Sequence, residues 1–249
     1  MPVHFPLKLV GSRMLAPSVR HLEFTRDDGQ PLDFIPGQFI QVHFAAPDGQ
    51  PARRSYSLAT MHDHALGPGE AVEIAVSYVP GGAATNLFTA LDQGQQIEAS
   101  GPYGRFCLSP KDENRRYLLI GTGTGVTPYR AMLPQIAQLL RERDLEVVLL
   151  FGARTGDELI YGDDFADFAA ANPRFRFMPC FSRELPVTSG PDARRGYVQD
   201  ALADLAPDPE RDIAYLCGNP NMVDTNFELL KAAGLPIPHI RREKYVSNK

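Results

Sequence analysis

The chain has 249 residues, 43% of them hydrophobic and 22% charged, enough apolar material for two domains of ordinary size and no signature of disorder. Its net charge of -5 argues against a nucleic-acid binder that depends on bulk positive charge, though a local basic patch still permits docking to an acidic protein. The three cysteines, Cys107, Cys180 and Cys217, lie far apart without a CxxC, which excludes a four-cysteine iron–sulfur cluster within the chain and suits a reducing compartment.

The start, MPVHFPLKLV, lacks a charged lead and a long apolar run, so no signal peptide is expected. No stretch approaches the length of a membrane-spanning helix, and a cytoplasmic monomer without a metal is the expectation.

The first hundred or so residues read as all-β. VRHLEFTR, FIQVHF and AVEIAVSYV mix β-branched, aromatic and alternating polar residues at strand length. Turn signals separate them at residues 27–31, 36–38, 47–51 and 67–70. This spacing predicts an antiparallel barrel or sandwich. One short helix interrupts it, with Thr85 as the cap of NLFTALD and Gly94 as its end.

A charged stretch, KDENRR at 111–116, reads as a linker. After it strands and helices alternate. The strands are YLLIG, EVVLLFGA, RFRFMPCFS and DIAYLCG; the helices are VTPYRAMLPQIAQLLRER, DDFADFAAAN, YVQDALADL and NMVDTNFELLKAAG. Alternation of this kind predicts a doubly wound parallel sheet. The expected architecture is therefore α+β in two domains: an antiparallel β-barrel over 1–110, then a parallel α/β domain over 117–249.

Two motifs stand out. Gly121-Thr122-Gly123-Thr124-Gly125-Val126-Thr127-Pro128 lies between a strand and a helix. Its glycines let the backbone approach a pyrophosphate, and the helix N-terminus offers free N–H groups there, although a tight strand–helix turn alone has the same look. Arg54-Ser55-Tyr56-Ser57 enters a strand after a proline turn. Arginine can neutralise a phosphate, tyrosine offers a flat face to an aromatic ring, and serine can hydrogen-bond a ring nitrogen.

With these motifs the sequence resembles the ferredoxin–NADP(H) reductase superfamily over nearly its whole length. The RxYS motif is followed by Gly82-Ala83-Ala84-Thr85-Asn86-Leu87, similar to the family's second FAD-phosphate segment, and by Gly101-Pro102-Tyr103-Gly104. GTGTGVTP, Cys217-Gly218-Asn219-Pro220-Asn221-Met222 and a C-terminal Glu-x-Tyr then appear in the family's order.

The resemblance implies an FAD domain followed by an NADP-binding domain. Arg54 would pair with the FAD pyrophosphate, with Ser55 beside it; Tyr56 would stack on the isoalloxazine and Ser57 approach flavin N5. Gly82, Ala83, Ala84 and Thr85 would give backbone N–H groups and a hydroxyl to the phosphates. Gly121, Thr122, Gly123, Thr124 and Gly125 would cradle the NADP pyrophosphate. Cys217 and Gly218 would sit beside the nicotinamide.

Ser182 and Arg183, assisted by Arg194 or Arg195, would grip the 2′-phosphate that separates NADP from NAD, and Tyr197 would stack on adenine. Glu243 would lie near the reacting atoms. Tyr245 would cover the flavin, or else the tail of four residues beyond it would order the FAD adenine. Ser57, Cys217, Glu243 and Tyr245 are the expected catalytic set, with positioning rather than acid–base roles. The implied activity is electron exchange between NADPH and a one-electron carrier, ferredoxin or flavodoxin. A flavin reductase or oxygenase reductase component is the alternative, and an electron-transfer subunit of a larger complex a further one.

Overall fold

The computed structural model describes residues 3–187 and 190–245. They form two compact units, one holding the chain up to Leu108 together with Thr127–Pro134, the other Ser109–Val126 and the chain from Gln135 onward.

The first unit is built on β1 (Val3–Ala16), β2 (Val19–Arg26), β3 (Phe39–Ala45), β4 (Pro51–Ser57), β5 (Val72–Ser77) and β6 (Gln96–Tyr103). The sheet runs β4-β3-β6-β1-β2-β5, with every pairing antiparallel. Its two edges meet where Leu58 bridges Ile74, which closes the sheet into a barrel and leaves no open edge there. Alternate residues point inward, as a two-residue period requires: Phe5, Leu7 and Leu9 of β1, Leu22 and Phe24 of β2, Ile40 and Val42 of β3, and Ile97 and Ala99 of β6 are all buried in one core.

Helix α1 (Ala83–Ala90) plugs this core with Phe88, which is fully buried. Here the expectation needs correction. Gly82, not Thr85, caps the helix, which ends at Leu91 rather than Gly94. The Thr85 hydroxyl instead turns back to Val79, accepting from its N–H and donating to its carbonyl, both at 2.9 Å. Gly94 sits at φ +89° in the next turn, where a left-handed residue is needed.

The second unit carries β7 (Arg116–Thr122), α2 (Thr127–Glu142), β8 (Glu146–Ala153), α3 (Gly162–Ala171), β9 (Phe175–Phe181), β10 (Arg194–Arg195), α4 (Val198–Asp204), β11 (Asp212–Gly218), α5 (Pro220–Ala232) and β12 (Ile240–Lys244), the first part of α2 grouping with the barrel. The sheet is entirely parallel, in the order β10-β9-β8-β7-β11-β12. From β7 the chain winds one way to β10 and then crosses to β11 on the other side. The strand order therefore reverses between β7 and β11, and ligands of such sheets bind beyond the carboxyl ends at that reversal.

The stretch 111–116 is no free tether. Arg116 is buried and its guanidinium grips the fully buried Asp212, while Asn114 donates to the Asp212 carbonyl at 2.9 Å. Arg143 donates to the carbonyls of Asp112 and Asn114, and Arg241 pairs with the Asp112 carboxylate at 2.6 Å. The charges that mark a linker in the sequence are here spent on fastening the segment. Among the described residues no helix is long and apolar enough to cross a membrane.

Candidate functional site

In the first unit, β4 presents Arg54 and Tyr56 on one face and Ser57 on the other, because successive side chains alternate. Arg54 and Tyr56 lie opposite the core residues Val42 and Ile40 on β3. Tyr56 is half-buried, its ring meeting Phe88 of α1 edge-on at 5.3 Å, and burial pushes its phenol up to about 12. That contact packs the RxYS strand against the C-terminal half of α1. Ser55 is exposed and Ser57 is buried.

The first turn of α1 has no side-chain cap and no acidic residue, and Gly82 and Ala83 lead into it without bulk. Such a helix start favours an anion. The Arg54 guanidinium, half-buried nearby in sequence terms to Tyr56, bonds only to its own neighbour, the Arg53 carbonyl, at 2.9 Å among the described residues. A cation, an uncapped helix start and a half-buried aromatic face are the donor set a flavin dinucleotide requires, so these residues fit it. The Thr85 hydroxyl, engaged with Val79, contributes less than expected.

In the second unit, the glycine motif leaves β7 as a short 3-10 turn, Gly123–Val126. Two glycines there are obligatory. A Cβ on Gly125 would stand 2.3 Å from the Cys217 carbonyl oxygen, and one on Gly218, whose φ is +126°, 2.7 Å from the Thr122 carbonyl oxygen. The ends of β7 and β11 thus approach as only glycine permits. The Thr122 hydroxyl accepts from the Asn219 amide at 3.2 Å, and Asn219 in turn caps α5. Gly123, at φ +53°, faces open space with nothing within 4 Å of its would-be Cβ. A turn this narrow, open at Gly123, fits a nucleotide pyrophosphate.

At the same carboxyl end, Cys217 and Glu243 are register partners on β11 and β12, and the Tyr245 amide donates to the Gly218 carbonyl at 2.8 Å. Cys217 is fully buried. Burial, then the Glu243 carboxylate, hold its thiol well above the ordinary value, while a hydrogen bond with the Tyr245 side chain works the other way. Burial also pushes the Glu243 carboxyl up to about 7. The structure therefore brings Cys217, Gly218, Glu243 and Tyr245 into one cluster. Ser57, expected in the same catalytic set, stands with Tyr56 on the barrel. Val246 to Lys249 lie outside the described residues.

Ser182 and Arg183 follow β9, and their amides donate to the carbonyls of Ala153 and Arg154, each at 3.0 Å, at the end of β8. Arg183, Arg194 and Arg195 are exposed, and among the described residues Arg183 and Arg195 have no carboxylate partner. Tyr197, 60% exposed, offers an open ring beside them in sequence as the cap of α4. Arg154 lies against this segment, its carbonyl accepting from the Arg183 amide, and was not foreseen. It leaves β8 beside Ser182 and is held by Glu158, its Nε donating at 2.7 Å. Its signal was a single arginine directly after an apolar strand, too common a pattern to single out.

Family models match most of the chain: an oxidoreductase FAD-binding domain over residues 6–107 and an oxidoreductase NAD-binding domain over residues 119–226. Ferredoxin–NADP reductase B of Sorangium cellulosum is 35% identical, over 97% of both chains. The reductase subunit of an aromatic O-demethylase from an Amycolatopsis species is 36% identical over 87% of this chain, which spans 62% of that protein's length. Among solved structures, the Amycolatopsis cytochrome P450 reductase superposes with a TM-score of 0.83 at 32% identity, covering 98% of this chain and 70% of that one. A ferredoxin NADP+ reductase from Neisseria gonorrhoeae, solved with FAD and NADP, gives a TM-score of 0.81 at 22% identity, covering 97% of this chain and 98% of that one, a likeness of fold.

Proposed function

This chain belongs to the ferredoxin–NADP(H) reductase superfamily and is an electron-transferring oxidoreductase that uses FAD and NADP(H), and we propose that its partner is a ferredoxin or flavodoxin. When bound, FAD takes electrons pairwise from NADPH and passes them on singly.

Residues 1–110 form the FAD-binding domain in this reading and 117–249 the NADP-binding domain. Arg54 neutralises the FAD pyrophosphate with Gly82, Ala83, Ala84 and Thr85 at the α1 start, while Tyr56 gives a flat, fixed face and Ser57 a hydrogen bond at the flavin ring. Gly121, Thr122, Gly123, Thr124 and Gly125 hold the NADP pyrophosphate by backbone groups. Ser182, Arg183 and Arg195, with Arg154, bind the 2′-phosphate, and Tyr197 stacks on adenine. Cys217 stays a neutral thiol and walls the nicotinamide pocket with Gly218. Glu243, its carboxyl raised by burial, takes a positioning role, and Tyr245 closes the cluster over Cys217. A cytoplasmic monomer accords with this reading.

The observation that carries the reading is the pair of obligatory glycines, Gly125 and Gly218, at the reversal point of the parallel sheet, on a chain that matches a ferredoxin–NADP reductase end to end. A second reading, the reductase component of an oxygenase, is favoured by relatives such as the aromatic O-demethylase reductase subunit. The test is steady-state reduction of ferredoxin, flavodoxin and free FMN by one preparation with NADPH. Fast reduction of ferredoxin or flavodoxin supports the proposal, whereas fast reduction of FMN with both proteins slow supports a flavin or oxygenase reductase.

A further inference from the structure

The chain just beyond Ser57 is fastened residue by residue. The Leu58 amide donates to the Gln38 carbonyl at 3.0 Å, and the Ala59 amide to the Glu73 carbonyl at 2.7 Å. The Thr60 hydroxyl accepts from the Glu73 amide at 2.8 Å and donates to the Ala71 carbonyl at 3.2 Å. This is where the barrel closes.

One side chain crosses the closure. Arg130, on the part of α2 that groups with the barrel, is only 6% exposed. Its Nη1 donates to the Ala59 carbonyl at 2.6 Å and also to the Glu73 carboxylate. The Glu73 carboxylate lies 3.7 Å from Nε2 of the fully buried His21, which stands 3.3 Å from Glu23. A buried guanidinium needs a carboxylate to offset its charge, and Glu73 supplies one. The bond to the Ala59 carbonyl does something further: it pins a backbone atom two residues beyond Ser57.

We propose that Arg130 is a positioning residue for Ser57, holding the end of β4 through the Ala59 carbonyl with Glu73 as its anchor. The proposal rests on the reading of Ser57 as the residue that meets the flavin ring. Arg130 lies two residues beyond the glycine motif, so a single run of sequence, Gly121 to Arg130, would serve both jobs.

The test is a double-mutant cycle on the FAD-loaded enzyme, with NADPH and ferricyanide as acceptor, comparing wild type, Arg130→Lys, Ser57→Ala and the pair. Lysine keeps the charge but replaces the rigid planar guanidinium with a flexible point donor, so the Ala59 carbonyl is no longer held in a fixed geometry. In the wild-type background Arg130→Lys should lower kcat about tenfold with KM within about twofold, because loss of register at a reacting centre acts on turnover. In the Ser57→Ala background the same change should cost less than about twofold, since coupled residues are not additive. Equal losses in both backgrounds overturn the proposal, leaving Arg130 a plain structural tie. Wild-type turnover by Ser57→Ala overturns the reading of Ser57 itself, and the clamp with it. If Arg130→Lys does not fold, Glu73→Gln takes its place in the same cycle, judged by the same two outcomes.

Discussion

Gly125→Ala is the perturbation whose cost the structure fixes most tightly. The added methyl would lie 2.3 Å from the Cys217 carbonyl oxygen and 2.6 Å from both the Cys217 carbonyl carbon and the Gly218 Cα. Ordinary contacts are near 3.5 Å, so the 3-10 turn and the end of β11 must part by about 1 Å. Neither side yields easily: both are backbone, and β11 is hydrogen-bonded on each flank to β7 and β12. Overpacking of this kind costs about 1–3 kcal/mol. In a chain of this size each kcal/mol lowers the melting midpoint by about 2–4 °C. The functional cost is larger, because a shift of about 1 Å in a binding cradle can take about a hundredfold from kcat/KM. Gly123→Ala is the control. Its Cβ meets nothing within 4 Å, so it carries only the strain of a left-handed alanine, about 1–2 kcal/mol. Melting curves of both variants, with kcat/KM for NADPH, check the argument. A Gly125→Ala protein no less stable than Gly123→Ala, and as active as wild type, would refute the close approach on which the cradle depends.

Arg183→Ala should raise KM for NADPH about ten- to hundredfold and leave KM for NADH nearly unchanged, since a charged hydrogen bond is worth about 1.5–3 kcal/mol; equal effects on both coenzymes would put the 2′-phosphate elsewhere. Arg54→Ala should weaken FAD retention, measured as flavin lost on gel filtration, because a bound pyrophosphate loses its charged partner. Glu243 gives a pH signature. Its carboxyl is raised from 4.5 to about 7 in the folded chain, so the folded state binds the proton more tightly than the unfolded one. Its contribution to stability is whole below about pH 4.5 and is lost as pH rises through about 7. Melting midpoints of Glu243→Gln should accordingly lack that decline, and parallel pH curves for variant and wild type would contradict it.

The sequence and the structure agree best where burial is complete. EVVLLFGA and DIAYLCG coincide with β8 and β11 because central parallel strands, covered on both faces, read as unbroken apolar runs. Strands that escaped reading had polar reasons to do so. β1 carries Pro6 inside an otherwise alternating run, β6 ends in Gly-Pro, and β12 is the edge strand IRREK, whose charges look like a solvated tail. The site shows the same division. The placement of Arg54 and Tyr56 on one strand, and of the glycine motif at a strand–helix turn, was legible from residue pattern and motif order. Arg154 and Arg130 were not, since each is a lone arginine whose telling partner is distant in sequence: the Arg183 amide at the Arg154 carbonyl, and the Ala59 carbonyl at the Arg130 guanidinium. Thr85 looked like a cap because its residue type prefers that role, but its hydroxyl closes the turn at Val79 instead.

The most direct measurement of the central claim is an anaerobic titration of the purified protein with NADPH, followed in the visible flavin bands and then met with oxidised ferredoxin. The account predicts a yellow protein holding FAD non-covalently, bleached by a stoichiometric amount of NADPH far more readily than by NADH, with the colour restored as ferredoxin is reduced. A folded, colourless protein that FAD does not reconstitute, or a bound flavin that NADPH fails to bleach, would contradict it.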